Sequence, residues 1–327
     1  MRELTSWMAV MILGLTLMGG GGCASSQQKL ARELGRVNDA SYVPGEVSDR
    51  PVDVRVMSFN LRRPVAVDFW NHWTFRRSRA AAAVDLVQPD VLATQECTPG
   101  QARDLMKRLD GYAWVGAGRN NGRSSGPFTG EMCAVFYRSD RFEAVDQGHF
   151  WFGREPMRPG KRAWGAWWPR MATWVKLRQL ETGRELFVFN AHLSSISSEA
   201  RRRSASQLRD TAHRIAGATP MVIAGDFNAG EDTEPHRRLL RDGDLIDTFR
   251  AVHANRTLDL TAESTHHGFR ERTRGHRIDW ILTNDGFEAT ASGILHRRFG
   301  RGPLSDHYPV VSDLIFRHRD LFRLVQR

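Results

Sequence analysis

Cysteine is scarce in this sequence, with three residues among 327, at positions 23, 97 and 133. So small a number excludes a disulfide framework and a cysteine-rich zinc cluster. Cys97 and Cys133 are expected to be small buried residues, and a single bridge between them is the alternative in an oxidising compartment. Cys23 stands apart from both, because it follows a run of four glycines.

The sequence also lacks internal repeats, low-complexity tracts in its main part and, after residue 51, any linker long enough to divide it. One domain is therefore the better interpretation of its length, and a monomer is expected. Acidic residues are too few to balance the basic ones, 37 against 47, which leaves a net charge of +10. A basic surface attracts nucleic acid, anionic membrane or phosphorylated metabolites, and a solvated arginine coat is the equally weighted alternative.

The apolar stretch at residues 7–18 is short for a membrane span, but its flanks are typical of a secretory signal. Arg2 precedes it, and small residues follow. Cys23 after small residues also resembles a bacterial lipoprotein signal, although Gly20 stands where such signals carry an aliphatic residue. We expect residues 1–23 to be a signal peptide, with export to the periplasm or cell envelope and a membrane tether through Cys23. An uncleaved N-terminal anchor is the alternative.

Residues 24–51 are polar and end in Pro44, Gly45 and Pro51, which predicts a tether. Residues 52–316 are expected to form the domain, and 317–327 a basic C-terminal tail. Helices are indicated by apolar spacing at 80–87, ending before Pro89, and at 200–215, capped by Ser197 or Ser198 and stopped at Gly217. Strands are indicated at 54–59, 90–94, 133–137, 173–177, 186–190, 221–224 and 279–282. Strands without intervening helices predict antiparallel hairpins, so the mixture favours a layered α/β sandwich.

Seven short polar stretches lie at the ends of these strands, spread over almost the whole domain. Asn, Asp and Glu supply the oxygens that suit Mg2+, and His beside a carboxylate is the usual pair for moving protons. Together they suggest a metal-assisted hydrolase of phosphate esters. The stretches are Ser58-Phe59-Asn60, Gln95-Glu96, Gly130-Glu131, Asn190-Ala191-His192, Gly225-Asp226-Phe227-Asn228, Arg277-Ile278-Asp279 and Ser305-Asp306-His307.

Most of these stretches have a structural alternative when taken singly. Asp226 and Asn228 can form an ordinary Asx turn, and His192 can be a satisfied core histidine. Glu96 and Asp279 are less easily dismissed, because each follows or interrupts a buried strand pattern. A carboxylate in such a place needs a cation or a hydrogen-bond donor.

As an ordered set, SFN, QE, GE, NAHL, GDFN, RIDWIL and SDHYPV make residues 52–316 resemble the endonuclease/exonuclease/phosphatase superfamily, also called DNase I-like. The resemblance implies a four-layered α/β sandwich of two packed mixed β-sheets flanked by helices. Its active site is expected at one edge of the sheets. It also implies a phosphoesterase that uses Mg2+, with Mn2+ as the alternative cofactor, and in-line attack by water.

The resemblance also implies which residues meet the metal and the phosphate. Asn60 and Glu96 are expected to hold the metal, with Asp306 at or near it. Glu131 would be a second acid beside His192 or the metal. A divalent ion offsets the negative charge of a phosphodiester, which otherwise repels hydroxide.

Proton transfer falls to the remaining residues of the set. By resemblance, Asp226 and Asn228 contact the attacking water or the phosphate, and His192 stabilises the phosphate or protonates the leaving group. His307 acts as general base or proton relay, oriented by Asp279. A positioned base contributes roughly 10²–10⁴-fold to such a rate.

Two further stretches resemble the bacterial branch related to nocturnin and deadenylase-type members. Thr265-His266-His267-Gly268-Phe269 is close to T-F-H-G-F, so His267 aligns with the family histidine and is expected at the substrate. Pro169–Trp174 is similar to P-R-I-A-T-W, and Arg170 is expected either at a phosphate oxygen or in a structural ion pair. Five tryptophans between 151 and 174 depart from the family. They either stack bases or, as we favour, form a packed corner.

The sequence thus predicts a metal-dependent phosphoesterase, and nuclease-like action is the first hypothesis because of the basic charge and the tryptophans. A phosphatase or phosphodiesterase for a small molecule or lipid headgroup is the alternative, since it fits export and tethering. Inositol phosphates, sphingomyelin and nucleotides belong to that alternative. A non-catalytic binding module that kept the fold is the third.

Overall fold

The computed structural model describes residues 52–254, 262–300 and 302–317, which belong to one compact unit. The predicted signal peptide with Cys23, the predicted tether at 24–51, and residues 318–327 of the predicted tail lie outside these ranges. None of the described helices is long and apolar enough to cross a membrane. Cys97 and Cys133 are both buried and free, as expected, and they form no bridge.

Twelve strands of the described residues form two mixed six-stranded sheets, A and B. Sheet A has the order β11-β12-β1-β2-β4-β3, and sheet B has the order β5-β6-β7-β8-β10-β9. Sheet A contains β1 (Val54–Asn60), β2 (Val91–Cys97), β3 (Tyr112–Val115), β4 (Met132–Arg138), β11 (Phe287–Ile294) and β12 (Val310–Phe316). Sheet B contains β5 (Phe142–Trp151), β6 (Met171–Gln179), β7 (Glu185–His192), β8 (Met221–Asp226), β9 (Ile246–Asp247) and β10 (Asp279–Thr283).

Five α-helices accompany the sheets in the described part of the chain. They are α1 (Trp73–Val87), α2 (Pro99–Met106), α3 (Ser198–Ala216), α4 (Glu234–Leu239) and α5 (Thr248–Val252), with 3-10 turns at Ala66–Asn71 and Arg241–Gly243. Both predicted helices are confirmed. Helix α3 begins where the Ser197 side chain accepts the N–H of Ala200, and it ends at Gly217 in a conformation with positive φ.

Each sheet has one parallel strand pair near its centre, β1–β2 in sheet A and β7–β8 in sheet B. The other pairs are antiparallel, as the missing helices between neighbouring strands predicted. The carboxyl ends of β1 and β2 therefore lie at one edge of sheet A, and those of β7 and β8 at one edge of sheet B. Four chemistry-bearing stretches follow these four ends.

Alternation along the strands builds three layers of core. Val54 and Val56 of β1 face Val222 and Ala224 of β8 in the core between the sheets. Met57 and Phe59 point the other way, into a core shared with α1 and α2. On the far side, alternate residues of sheet B pack against α3. The order helix, sheet, sheet, helix is the predicted four-layered sandwich, which is confirmed.

Candidate active site

Three side chains of sheet B form a row at the end of the inter-sheet core. His192, Asp226 and Asp279 are direct register partners on β7, β8 and β10. Side chains alternate with period two, so all three share the face that carries Val222 and Ala224. The apolar face thus ends in three ionisable groups at one edge, and all three are buried.

Sheet A meets this row through an amide. Asn60, the last residue of β1, lies on the same inner face as Val54 and Val56, and its Nδ2 donates to Asp226 Oδ2 at 2.9 Å. Behind it, Gln95 Nε2 donates to Asn190 Oδ1 at 2.8 Å. These two buried hydrogen bonds connect the sheets where the apolar core stops.

Glu96 reaches the site because β2 is irregular at its end. Strict alternation would place Glu96 with Leu92 on the helix-facing side. The register between β2 and β4 shifts after Thr94, and Glu96 takes a left-handed φ of 54°. The shift sends Cys97 into the helix-side core and leaves Glu96 lining the same cleft as His192.

His307 and Asp279 form a close, buried pair in the site. His307 Nδ1 lies 2.8 Å from Asp279 Oδ2, and Nε2 lies 3.8 Å from Asp226 Oδ2. Burial lowers the pKa of His307, but the carboxylates of Asp279 and Asp226 outweigh burial and raise the pKa to about 10. The imidazole is therefore protonated at neutral pH. Thr265 holds the pair, because its Oγ1 accepts the N–H of Asp279.

Asp226 is the central acid of the row. Burial, followed by the charge of Asp279, raises the pKa of Asp226 to about 7, against the opposing effect of His307. Its Oδ1 accepts the N–H of Asn228, and its Oδ2 lies 3.5 Å from His192 Nε2. A negative charge here is costly, so a cation beside Asp226 would be favourable.

His192 is held from the other side by Asn228, whose φ is 50°. Asn228 Nδ2 donates to His192 Nε2 at 3.1 Å and to Leu193 O at 3.2 Å. Burial lowers the pKa of His192 well below its usual range, and the positive charges of Arg170 and Arg119 lower it further. The imidazole is therefore neutral in this state.

A small cleft opens beside His192. Two buried arginines, Arg119 and Arg170, line it together with Glu96 and Glu131. Arg119 Nη1 donates to Glu131 Oε2 at 2.5 Å, and Arg63 Nε lies 3.3 Å from Glu131 Oε1. The predicted substrate residues Glu131 and Arg170 are thus brought together with His192, and two guanidinium groups offer donors to an anion.

The predicted metal ligands lie next to two arginines that follow β1. Asn60 Oδ1 accepts the N–H of Arg62 at 2.9 Å, and Glu96 Oε2 accepts the N–H of Arg63 at 3.1 Å. Asp306 Oδ2 lies 3.6 Å from Arg62 Nη1. Each oxygen keeps a free lone pair, and amide and carboxylate oxygens suit a hard divalent cation.

Two further groups of donors lie close enough to share a cation. Their ligand atoms are within 4.8 Å of one another: Asp226, Asp279 and His307 in one group, and His266, Asp306 and His307 in the other. Asp279 Oδ1 is buried and has no hydrogen-bond partner. This orphaned oxygen and the oxygen-rich donor set fit a divalent metal, although Glu96 belongs to neither group.

The two neighbouring histidines His266 and His267 lie differently with respect to the site. His267 is buried against Tyr308, with ring centroids 4.2 Å apart, and its Nδ1 accepts the N–H of Glu271. Its role at the substrate stays a prediction. His266 is exposed, and its ring centroid lies 4.8 Å from that of His307. His267 also contacts the site, because its backbone N–H donates to Asp306 O at 2.8 Å.

Sequence reasoning missed Arg62, Arg63 and the buried Arg76. Arg76 Nη1 donates to the carbonyls of Leu61 and Leu304, which fastens the loop after β1 to the loop that carries Asp306. Arg62 and Arg63 directly follow Asn60, and that adjacency was a usable signal. No signal in the sequence marked Arg76, because an arginine within a helix pattern is expected to be solvated.

Comparison with known proteins agrees with this geometry. A mannosyl-6-phosphatase of Bacteroides thetaiotaomicron has 29% identity and a TM-score of 0.74, over 81% of this chain and 100% of that one. Xenopus laevis nocturnin is 27% identical over 229 residues, 64% of this chain and 54% of the relative. The chain thus spans about half the length of that curated relative. The human nocturnin catalytic domain, at 20% identity and a TM-score of 0.64, covers 83% of this chain and 96% of that one, and it shows the fold alone.

The sequence profile of the endonuclease/exonuclease/phosphatase family matches residues 57–307, a range that runs from β1 to His307. The match covers most of the domain and all the residues of the site. The two six-stranded sheets and the row of His192, Asp226 and Asp279 agree with this match. The chain belongs to the endonuclease/exonuclease/phosphatase family, whose members are hydrolases acting on phosphate esters.

Proposed function

We propose that the chain hydrolyses phosphate esters of small phosphorylated molecules, with Mg2+ or Mn2+ as cofactor. The observation that carries this proposal is the meeting of two sets of groups at His192. Buried Arg119 and Arg170 lie on one side of His192, and the Asp226–Asp279–His307 cluster lies on the other. The arginines can hold a phosphate dianion while the cluster handles protons.

The residues of the cluster have distinct tasks in this proposal. Asp279 fixes the ring of His307, so that Nε2 holds or moves a proton beside Asp226. Asn228 orients His192 toward the cleft. Asn60, Glu96 and Asp306 would hold the cation, which supplies charge neutralisation and polarisation of the P–O bond when bound.

Substrate binding changes the charge around His192. The positive charges of Arg170 and Arg119 contribute to its lowered pKa, after burial. A phosphate dianion between these arginines would offset their charge and raise the pKa of His192. A neutral imidazole in the free enzyme would then become able to carry a proton toward the leaving oxygen.

A small substrate is supported by the phosphatase relative. The relative at 29% identity, a mannosyl-6-phosphatase, is matched over its full length. Nuclease-like action, our first hypothesis from the sequence, remains the second candidate, and the net charge of +10 favours it.

A substrate panel tests the proposal. Purified protein would be assayed on mannose 6-phosphate, nucleotides, inositol phosphates, sphingomyelin, and single- and double-stranded nucleic acid. Each assay would be run with Mg2+, with Mn2+ and with EDTA. We expect turnover of a phosphomonoester that EDTA abolishes and added metal restores.

Variants complete the test. Glu96→Gln and Asp226→Asn should lose most of the turnover, whereas His149→Gln, at a histidine outside the cleft, should keep it. Turnover that survives EDTA, or that persists in both site variants, would show that this site does not perform the reaction. Turnover of nucleic acid alone would replace the small-molecule proposal by the nuclease candidate.

We further propose that the chain is exported and tethered through a lipid on Cys23, on the sequence argument alone. Fractionation of cells that express the chain with its own N-terminus tests this. The wild type should pellet with membranes, and Cys23→Ala should be released. Equal retention of both would remove the lipid anchor from the proposal.

A further inference from the structure

Exposed large hydrophobic side chains are concentrated at one edge of the protein. Of eleven among the described residues, only Val145 and Leu180 lie elsewhere. The other nine belong to the loops after β1 and β7, the first turn of α1, and the loops that join β3 to β4 and β5 to β6. They are Val67, Phe69, Trp70, Phe75, Phe128, Met157, Trp167, Trp168 and Ile196.

All of these loops leave the sheets at the edge that carries the candidate active site. Strands β1 and β7 end there with Asn60 and His192. Because β4 and β6 run antiparallel to β2 and β7, they begin at this edge, and the loops before them lie there too. An apolar rim around the entrance to a charged cleft is unusual, since soluble proteins expose large apolar groups mostly singly.

Direct contacts join both sides of the rim to the site. On one side, the guanidinium of Arg62 forms two hydrogen bonds of 3.0 Å with Asp68, between the exposed Val67 and Phe69, and also faces Asp306. On the other side, Arg119 in the cleft stacks over the ring of Trp168 at 5.4 Å. Whatever covers the rim therefore lies directly over the cleft.

The composition of the rim favours a lipid surface over nucleic acid. Val67, Met157 and Ile196 are 74%, 79% and 55% exposed, and aliphatic side chains offer no face on which a base can stack. They suit the hydrocarbon boundary of a bilayer, where tryptophan also prefers to lie.

Charge points to the same partner. The loop between β5 and β6 exposes four cationic side chains among its apolar ones: Arg154, Arg158, Lys161 and Arg162. Glu155 is the one acidic residue of this loop. Basic residues near an anionic leaflet strengthen binding, and they complement tryptophans that enter the headgroup region.

We propose that this edge docks onto an anionic lipid surface, with the loops of Trp70 and Trp167 entering the headgroup layer. The cleft then faces phosphate esters that are presented at the surface of the bilayer. This inference rests on the proposed function only for the location of the reaction. Docking itself needs no turnover, so the two can be tested separately.

Labels at single cysteines test which part of the surface meets the lipid. The full chain would carry Cys23→Ala together with Trp70→Cys, Trp167→Cys or the control Leu180→Cys, each labelled with an environment-sensitive fluorophore. Cys97 and Cys133 are buried and should stay unlabelled. Leu180 is a matched control because it is exposed and follows the end of β6, at the opposite edge.

Vesicles of phosphatidylglycerol and phosphatidylcholine would be compared with pure phosphatidylcholine. We expect fluorescence at positions 70 and 167 to rise about threefold with anionic vesicles, with quenching by brominated lipid and no change at position 180. A response at all three positions, or at none, would overturn the proposal. A response of 70 and 167 to single-stranded DNA but not to vesicles would assign the edge to nucleic acid instead.

Activity is the second readout. Trp70→Ala should weaken vesicle binding and leave turnover of a soluble phosphate ester unchanged. If no ester is turned over but the labels still respond, the proposed function fails and the docking surface stands. If Trp70→Ala binds anionic vesicles as tightly as the wild type, the docking proposal fails and the proposed function is untouched.

Discussion

At the scale of single residues, chemistry depends on burial and on neighbours distant in sequence. Asp226 and His307 are ordinary residues in the sequence, yet in the fold their pKa values rise to about 7 and about 10. Burial is the first cause for Asp226, whereas two carboxylates outweigh burial for His307. Residue type and strand position predicted that these groups matter. The sequence could not give their protonation states.

Asp279→Asn should separate the orienting role of this carboxylate from a structural one. The amide keeps the size of the side chain but removes the negative charge beside His307 Nδ1. We expect turnover of the phosphate ester to fall roughly 10²–10⁴-fold. The pH profile should shift as well, because the pKa of His307 loses its main raising cause.

The control is Asp140→Asn, at an exposed acid that pairs with Arg138 in the turn after β4. It should leave both turnover and pH profile as in the wild type. Thermal unfolding of Asp279→Asn near the wild-type midpoint would show that the fold is intact. Turnover within threefold of the wild type would contradict the assigned role.

His149 should make the protein less stable in mild acid. Burial lowers its pKa to about 4, and its Nδ1 contacts Thr173 Oγ1 at 3.1 Å. The unfolded chain, with a histidine pKa of about 6.5, binds the proton more tightly. The contribution of neutral His149 to the free energy of unfolding is therefore complete above pH 6.5 and is lost as the pH falls toward 4.

Urea unfolding at pH 7.5 and pH 4.5 measures this contribution. We expect His149→Gln to reduce the acid-induced loss of unfolding free energy by about 2 kcal/mol, because glutamine does not titrate. The two proteins should differ little at pH 7.5. An identical loss in wild type and variant would mean that other groups cause the acid sensitivity.

At the scale of elements, regular patterns were readable and irregular ones were not. Helix α3 was predicted with both of its caps, since its apolar face and its serine and glycine signals agree. Helix α2 was missed despite a capping box of Thr98 and Gln101, because it is short. The bulge that turns Glu96 into the cleft depends on how β2 pairs with β4, which is not a local property.

Gly225 marks a close approach of β7 and β8 that permits no side chain. A Cβ at this position would lie 2.1 Å from the carbonyl oxygen of Ala191. We expect Gly225→Ala to lower the free energy of unfolding by about 3 kcal/mol or more, since the two paired strands would have to separate. Urea unfolding is the measurement.

Gly100→Ala is the matched control within a helix. It lies in the first turn of α2, where an added Cβ meets nothing closer than 3.8 Å. Alanine is the better helix former, so this variant should be neutral or more stable by up to about 1 kcal/mol. Equal destabilisation by both variants would contradict the steric explanation for Gly225.

At the scale of the whole molecule, charge and layer order act together. Two sheets packed face to face leave an edge at which loops from both sheets converge, and the cleft lies there. The chain as a whole has a net charge of +10, whereas the site contains several buried carboxylates. Long-range attraction of anions therefore comes from the net positive charge of the whole chain, whereas the chemistry comes from the side chains of the site.

Salt should separate these two origins. Raising the salt concentration from about 0.05 to about 0.5 M shortens the range of charge interactions several-fold. We expect the affinity for a single-stranded oligonucleotide to fall roughly tenfold or more, because it depends on the general positive field. The KM for a small phosphomonoester held by buried arginines should change less than about threefold.

Fluorescence anisotropy with a labelled oligonucleotide measures the first affinity. Steady-state kinetics at fixed metal concentration measure the KM for the phosphomonoester. Equal salt dependence of both would mean that the cleft itself is screened like an open surface. It would argue against enclosed binding by Arg119 and Arg170.

The sequence by itself determined the layered α/β class and most of the strands, which follow from periodicity, a local property. Strand-end placement, residue type and the resemblance to the family predicted which polar stretches carry the chemistry. Only the tertiary structure decided that Asn60 contacts Asp226, that Arg62 faces Asp306, and that the ring of His266 lies beside that of His307. The reason is physical: such contacts depend on which strands pair and in which register, and burial at those junctions then sets the charge of each group.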